Sequence, residues 1–469
     1  MTAKPAPVTE QKGAVDRILA LAADVHAGEG ITALLLACNG FLLLAAYYAI
    51  RPLRGALLLP VEITLPGGTV LPGPQITSYV GGILAALFLV IVPLYGAFAS
   101  RVNRIRLINV VTVFFVVNLF GFFLLARSGA YPTALGITFV LWVGVFNLMV
   151  VAQFWSFAND LYTPDQGKRL FAIVGFGGSI GAVAGAFLTS QLIPRFGILP
   201  MMLVSCAELL LALVLTNVIH ARDRHQPHPD RTQKKAAEEP LGSEGGFQLI
   251  FRHRYLLFIG LLTLTVQIVN TNGNYLLNQT VTQMAKTTFE SGTAGGLSEG
   301  DIIGAFMADL DTWQNILSML IQFFLVSRIF KYLGIGGALF ILPTLAFTSY
   351  GVFALAPVLA FIRLTKIAEN ATDYSLQNTL RRALFLPTSR EAKYKALQAV
   401  ETFFWRAGDM LSAAVVLVVV QWLALSVRQF AIVNIALVIV WFIVAAVLAR
   451  ENRRLTASTS TPAAAPGIR

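Results

Sequence analysis

Apolar residues recur in long runs along this chain, and polar residues cluster in short stretches between the runs. Each run is about 20 residues or longer, the length that an α-helix needs to cross a hydrocarbon layer of ~30 Å. The pattern predicts an all-α membrane protein with twelve transmembrane helices. These lie near residues 31–50, 78–99, 107–126, 134–158, 171–193, 198–219, 254–280, 302–329, 333–352, 354–379, 399–424 and 428–449.

A charged stretch rich in Pro and Gly divides the twelve runs into two sets of six, so we predict two six-helix halves joined by a flexible linker. At residues 15–25, apolar positions share one face and fit a short interfacial helix. The predicted parts are an N-terminal segment at 1–30, bundles at 31–219 and 254–449, a cytoplasmic linker at 220–253 and a disordered cytoplasmic tail at 450–469.

Lysine and arginine are distributed unevenly over the loops. Of the 35 in the chain, 26 fall on the side that holds both termini and the linker, six fall on the opposite side and three lie inside spans. Cytoplasmic loops carry the excess of positive charge, so both termini are predicted to be cytoplasmic. We predict a multi-pass protein of the bacterial inner membrane.

Composition agrees with this pattern and excludes other classes of protein. The chain is 56% hydrophobic and 13% charged, with a mean hydropathy of +0.70, as in polytopic membrane proteins. The net charge of +11 lies in short loops, which argues against nucleic-acid binding. With two cysteines inside apolar runs and no HExxH, CxxC or Walker motif, we predict no metal, no cofactor and no enzyme activity. The predicted partners are the lipid bilayer and a small anionic substrate, and the predicted state is a monomer.

The tenth span carries charge where an apolar helix is expected. Its polar residues share one face at helical spacing: Arg363, Lys366, Asn370, Asp373 and Gln377, with Glu369 beside them. Charge inside a membrane is costly and by default marks a functional site. One interpretation is a cavity in which Arg363, Lys366 and Asn370 bind an anion, while Glu369 and Asp373 relay charge. The other is a salt-bridge ladder that locks two helices together.

In the first interpretation, Lys366→Gln abolishes transport and leaves the protein folded. The eleventh span adds Glu401 and Asp409 on one face, with Arg406 three residues before Asp409. Arg406 and Asp409 either pair within the helix, or Asp409 is a protonatable acid facing the tenth span. We assign Glu401, Arg406 and Asp409 to coupling.

The first span ends with Tyr47, Arg51 and Arg54 at i, i+4 and i+7, so they share one face. Guanidinium groups suit the oxygens of phosphates and carboxylates, which makes this face a candidate substrate site. Anchoring at the outer membrane interface is the alternative, because Arg and Tyr are common there.

Further polar candidates lie in the fourth, seventh and tenth spans. Asn270 and Asn274 share a face of the seventh span and either line a pore or bond between helices. Asn159 in the fourth span and Asn378 in the tenth begin a weak internal repeat, in which each is followed by Pro and then a basic residue. The repeat fits the two parallel halves of a major-facilitator fold. The basic residues Lys168, Arg169 and Lys393 are candidates for a cytoplasmic gate.

Two further segments carry structural predictions. The small-residue sequence GFGGSIGAVAG in the fifth span predicts close helix packing. The sequence PVEITLPGGTVLP alternates around Pro-Gly-Gly and predicts a small external hairpin.

At YYAIRPLRGAL, FWSFANDLYTPDQGKRLF and KYKALQAVETFFWRAGD, the chain resembles the ATP/ADP translocase family. These are nucleotide exchangers of plastids and obligate intracellular bacteria, related to the major facilitator group. The resemblance implies alternating access and exchange of nucleotides. Arg51 and Arg54 match the basic pair of the family, and Asn159, Lys168 and Arg169 match its FWxFAN and Lys-Arg pattern.

Three positions depart from the family pattern. The chain has Val143 where the family has an acid, and Asp409 where it has a lysine. The family's Asn-Leu-Val-Glu in the seventh span corresponds to Asn270 to Gly273 here, without the acid. The chain therefore resembles a divergent bacterial branch of this family.

Three functions are compatible with the sequence. The first is a secondary active transporter for an organic anion such as a nucleotide. The second keeps the fold but couples transport to protons, as an exporter of another small molecule or a lipid, which the acid at Asp409 favours. The third is a membrane receptor or scaffold, which the short tail after residue 450 disfavours.

Overall fold

The computed structural model describes residues 13–20, 24–99, 103–223, 246–355, 357–389 and 392–460. Their first part contains α1 (Ala14–Leu19), α2 (Gly30–Ile50), α3 (Leu53–Leu58), β1 (Glu62–Thr64), β2 (Val70–Pro72), α4 (Gly73–Ala99), α5 (Arg104–Ser128), α6 (Pro132–Leu161), α7 (Pro164–Phe196) and α8 (Leu199–Asp223). Their second part contains α9 (Gly246–Arg252), α10 (Arg254–Glu290), α11 (Glu299–Leu320), α12 (Val326–Ala338), α13 (Ile341–Leu355), α14 (Leu359–Thr372), α15 (Asn378–Ala383), α16 (Leu397–Ala399), α17 (Trp405–Val416) and α18 (Val427–Ser460). Wider π-helical segments connect several of these helices: Ile321–Leu325, Asp373–Gln377, Val400–Phe404 and Leu417–Trp422, with another at Ala392–Ala396.

The helices are those of a multi-pass membrane protein. In the described residues, ten helical runs are long and apolar enough to cross a membrane. The ninth predicted span corresponds to α13, which has only 15 residues. The tenth corresponds to α14, a π-helical segment and α15, and it carries the charged stripe seen in the sequence.

Several boundaries differ from the predictions. Gly334, in α12, has a φ of +66° and therefore interrupts the helical run that began at Glu299. This break lies one residue after the predicted start of the ninth span. The prediction of a disordered tail from residue 450 differs from the structure in its first part, because α18 continues to Ser460. A short helix, α1, lies in the segment where an interfacial helix was predicted, and its location at the membrane interface stays a prediction. Part of that prediction, at 21–23, and most of the predicted linker, at 224–245, lie outside the described residues.

Local sequence signals explain where key elements begin. Thr163 caps α7 and forms a capping box with Gln166, and Pro164 occupies the first helical position. Ser298 and Asp301 form a capping box at the start of α11. The predicted hairpin is confirmed, with β1 and β2 paired antiparallel around the positive-φ glycines of the Pro-Gly-Gly turn.

The apolar core is divided along the chain. Residues between 249 and 449, together with Leu59, form one buried cluster, whereas residues between 25 and 219 form three. Helix α2 packs on α7 and α8, and α10 packs on α17 and α18. The two parts of the chain meet where α7 lies along α11 and where α4 lies along α17. The candidate site lies between these two contacts.

Candidate functional site

Arg51 occupies the junction between the two parts of the chain. It lies in the short break between α2 and α3, where Pro52 prevents a continuous hydrogen-bond ladder. Its Nη1 atom is 3.3 Å from Oδ1 of Asp311 on α11. Its Nη2 atom donates to the hydroxyl of Tyr374, at 3.1 Å. The guanidinium also lies over the rings of Tyr48 and Tyr374, at 5.3 and 5.8 Å from their centroids.

Two cavities meet at this arginine. The larger has a volume of about 540 Å³ and is lined by residues from both parts of the chain, among them Tyr47, Arg51, Asn147, Gln322, Asn378 and Arg382. The smaller, of about 220 Å³, is lined by Arg51, Arg54, Asn274, Asn278, Asp311 and Asn370 among others. Arg51 therefore presents positive charge to both cavities, and each cavity has further polar side chains in its lining.

The face formed by Tyr47, Arg51 and Arg54 points into the protein. Tyr47 lines the larger cavity and Arg54 the smaller one. Arg54 also donates from Nε to the carbonyl of Arg51, at 3.3 Å. This geometry favours the binding interpretation over anchoring at the membrane interface.

Lys366 and Glu369 form a pair enclosed by protein. Lys366 is fully buried, and its Nζ atom is 3.1 Å from Oε1 of Glu369. The Tyr350 hydroxyl is also within hydrogen-bond distance of that oxygen, at 3.1 Å. Gly273 leaves room for this arrangement, since a Cβ atom there would lie 2.2 Å from the Tyr350 hydroxyl and 3.0 Å from Nζ. Both charges lie on α14, so the pair itself does not join two helices, and Tyr350 of α13 supplies the contact with a second helix.

The rest of the tenth-span stripe connects α14 to its neighbours. Arg363 forms an ion pair with Asp309 on α11. Asn370 donates from Nδ2 to Oε1 of Gln314, at 3.0 Å. Asn270 on α10 donates to Oδ2 of Asp373, at 3.4 Å, while Oδ1 of this aspartate has no hydrogen-bond partner among the described residues.

The eleventh-span charges form a separate cluster. Arg406 Nη1 is 3.5 Å from Oδ2 of Asp409, which is the predicted pairing within the helix. Oδ1 of Asp409 accepts hydrogen bonds from Gln267, at 2.7 Å, and from Thr271, at 3.0 Å. Glu401 lies apart from this cluster, 3.8 Å from Nε of the exposed Arg382.

The predicted asparagines do not converge on one place. Asn274 lines the smaller cavity and Asn378 the larger one. Asn270 bonds to Asp373, as described above, and Asn159 is exposed on α6. The seventh-span face thus combines cavity lining with bonding between helices.

Arg169 joins the starts of two helices in the first part of the chain. Its two terminal nitrogens each lie 2.9 Å from an oxygen of Glu29, beside the start of α2. Burial acts to raise the pKa of Glu29, but hydrogen bonds from Arg169, the His26 amide and Gln166 outweigh it and hold the pKa below its usual value. The side chains of the other predicted gate residues, Lys168 and Lys393, lie outside the described residues.

Sequence reasoning missed two residues of the site, Asp311 and Tyr374. It also missed Asp309, which pairs with Arg363 and lines neither cavity. The two aspartates lie in the predicted eighth span, so the argument from intramembrane charge applied to the tenth span could have found them. Tyr374 follows Asp373 without a distinguishing local signal. Among the described residues, no group of His, Cys, Asp or Glu is arranged to hold a metal ion.

The chain is similar to a family of carriers over most of its length. A family model described as TLC ATP/ADP transporter matches residues 133–452. ADP,ATP carrier protein 1 of Chlamydia trachomatis is 21% identical over 336 residues, covering 63% of this chain and 61% of the relative. ADP,ATP carrier protein 2, chloroplastic, of Arabidopsis thaliana is 20% identical over 328 residues, covering 63% and 51%. Both matches span less than two thirds of the relative's own length.

Solved structures of transporters share the fold. The nucleoside transporter NupG superimposes with a TM-score of 0.60 at 14% identity, covering 91% of this chain and 99% of its own. An auto-inhibited POT family peptide transporter gives a TM-score of 0.61 at 11% identity, covering 90% and 97%. These likenesses agree with the predicted major-facilitator type of fold.

Proposed function

Because this chain belongs to the TLC ATP/ADP transporter family, we propose that it is a secondary carrier that exchanges organic anions across a membrane. Nucleotides are the first candidates, since the curated relatives are named ADP,ATP carriers. Two of the three sequence segments that carried the resemblance lie within the matched residues 133–452. The resemblance to this family is thereby confirmed.

The observation that carries the proposal is the position of Arg51. A guanidinium between two cavities that both contain polar lining residues offers paired donors to a phosphate or carboxylate from either side. Around it, the substrate contacts that we propose are the other predicted residues that line the two cavities: Tyr47, Arg54, Asn274, Asn370 and Asn378. For Lys366 and Glu369 we propose a supporting role, because the pair is enclosed by packed side chains.

We also propose twelve spans in two parallel six-helix halves. Two additions to the ten apolar runs support that number. The first is α13, which the break at Gly334 separates from the preceding span. The second is the charged run from Leu359 to Ala383. The excess of Lys and Arg on one side supports cytoplasmic termini in a bacterial inner membrane.

Counter-exchange in proteoliposomes tests the proposal. Vesicles loaded with ADP and containing the purified protein are expected to take up labelled ATP, and vesicles without internal nucleotide are not. Arg51→Gln is expected to lower uptake at least about a hundredfold, since losing a buried charge-assisted contact costs ~3 kcal/mol. Arg428→Gln is the matched control, because Arg428 is an exposed arginine at a helix end. Uptake that is equal in the two variants, or absent from the wild type with ATP, ADP and phosphate, contradicts the proposal.

A proton-coupled exporter is the second candidate. Asp409 lies among hydrogen-bond donors from α10 at the contact between α4 and α17, where a protonatable acid could sense the rearrangement of the halves. An apolar cavity of about 400 Å³ that shares Gln322 and Phe323 with the larger cavity would suit a substrate with an apolar part. Transport driven by a pH gradient without internal nucleotide would favour this candidate.

A further inference from the structure

We propose that Asp311 makes exchange obligatory, because its ion pair with Arg51 holds the two halves together until a substrate anion binds the guanidinium. This inference rests on the proposed function and adds a residue to it. Arg51 belongs to the first part of the chain and Asp311 to the second, so their contact at 3.3 Å is a tie between the halves. A carrier without substrate keeps this tie and does not reorient.

Position distinguishes this tie from two others between the halves. Asp301 accepts a hydrogen bond from the Ile198 amide at 2.9 Å, and Gln421 donates to Gln75 at 2.6 Å. Of these three ties, the one made by Arg51 borders the larger cavity. Asn315 also donates to the Ala182 carbonyl beside that cavity, at 3.5 Å, but this contact between the halves carries no charge that a substrate anion could replace. A substrate anion in that cavity can therefore reach the guanidinium and compete directly with the Asp311 carboxylate.

Charge balance explains why the tie resists opening without substrate. Asp311 is only 5% exposed, so separating it from Arg51 would leave two poorly solvated charges unpaired. A bound anion supplies the missing partner of Arg51. Arg54 lines the same smaller cavity as Asp311 and leaves positive charge near the released carboxylate. A ligand that binds the separated state better shifts the equilibrium towards it.

Efflux from preloaded proteoliposomes tests the inference. Vesicles are loaded with labelled ADP, and its release is measured with and without unlabelled ADP outside. The wild type is expected to release label only when ADP is outside. Asp311→Asn removes the charge of the tie, so release without external ADP is expected to rise at least about tenfold. Unchanged dependence on external ADP in this variant would overturn the inference.

Asp309→Asn is the matched control. Asp309 lies on the same helix but pairs with Arg363 within the second part of the chain, so its loss leaves the tie between the halves intact. Release from this variant is expected to keep its dependence on external ADP. An equal rise in release without external ADP in both variants would also overturn the inference. It would show that loss of either acidic residue of α11 has the same effect, whether or not the residue joins the halves.

Tyr374→Phe gives a second route if Asp311→Asn does not fold. It removes only the hydroxyl that accepts from Arg51 at 3.1 Å, so a smaller rise in the same direction is expected, and no rise contradicts the inference. A wild type that exchanges no ADP overturns the proposed function and this inference together. If the wild type exchanges ADP normally and the Asp311→Asn and Tyr374→Phe variants still release label only with external ADP, this inference alone is overturned.

Discussion

Single buried charges in this protein have different roles that depend on what surrounds them. Arg51 borders two cavities, whereas Lys366 is fully enclosed with Glu369 beneath the Tyr350 hydroxyl. A charge that borders a cavity can exchange its partner for a ligand. A charge closed in by packed side chains cannot do so without local unfolding, so its partner is part of the fold.

This difference changes the expectation for Lys366. Lys366→Met leaves Glu369 as an unpaired buried charge, and we expect a loss of stability of roughly 3–5 kcal/mol. The double variant Lys366→Met/Glu369→Leu removes both charges and is expected to recover most of that loss. Thermal unfolding in detergent measures both. A single variant as stable as the wild type but inactive would instead support the anion-binding interpretation of Lys366 made from the sequence.

At the scale of elements, the close approach of α7 to α2 depends on glycines one helical turn apart. At Gly177, Gly181 and Gly185, a Cβ atom would lie 2.4, 2.2 and 2.3 Å from carbonyl oxygens of α2. The close packing predicted from the small-residue sequence is therefore confirmed. It holds α2 against the helix that also forms the contact with α11.

Gly181→Val tests this contact. The new side chain meets backbone rather than a movable side chain, so we expect the helices to separate and the melting temperature to fall by several degrees. Gly175→Ala is the control on the same helix, because the nearest atom to its Cβ is 4.0 Å away, in the Trp155 ring. Equal melting temperatures for the two variants would show that the spacing of α2 and α7 is not limited by these glycines.

At the scale of the whole molecule, polar ties join the halves at several places in the described part of the chain. The side chains of Gln75 and Gln421 bond at 2.6 Å, near the start of α4 and the end of the eleventh span. Alternating access requires such ties to open during each cycle. The state described here has them closed.

Cross-linking tests whether this contact must open. In a protein with Cys38 and Cys206 replaced, Gln75→Cys/Gln421→Cys joined by a short bismaleimide is expected to lose ADP exchange almost completely. Each single variant, treated in the same way, is expected to keep it. Full exchange in the cross-linked double variant would mean that the halves do not separate at this position.

The local features of this protein follow from its sequence. Ten of the proposed spans follow from apolar runs, because a helix satisfies its own backbone hydrogen bonds and apolar side chains are stable in hydrocarbon. The capping box at Thr163 and the hairpin around Pro-Gly-Gly depend on neighbouring residues alone. The pairing of Arg406 with Asp409 is also local, since the two residues are one turn apart on a helix.

The partners of Arg51 and Arg363 were decided by the tertiary structure. Arg51 and Tyr374 are 323 residues apart in the chain, and no periodic pattern links positions at that distance. Lys366 is enclosed because Gly273 and Tyr350, from two other helices, meet it. The sequence by itself determined which residues carry charge into the membrane. Packing of distant helices decided which of those charges reach a cavity, because a partner across a helix contact depends on three-dimensional proximity rather than on spacing along the chain.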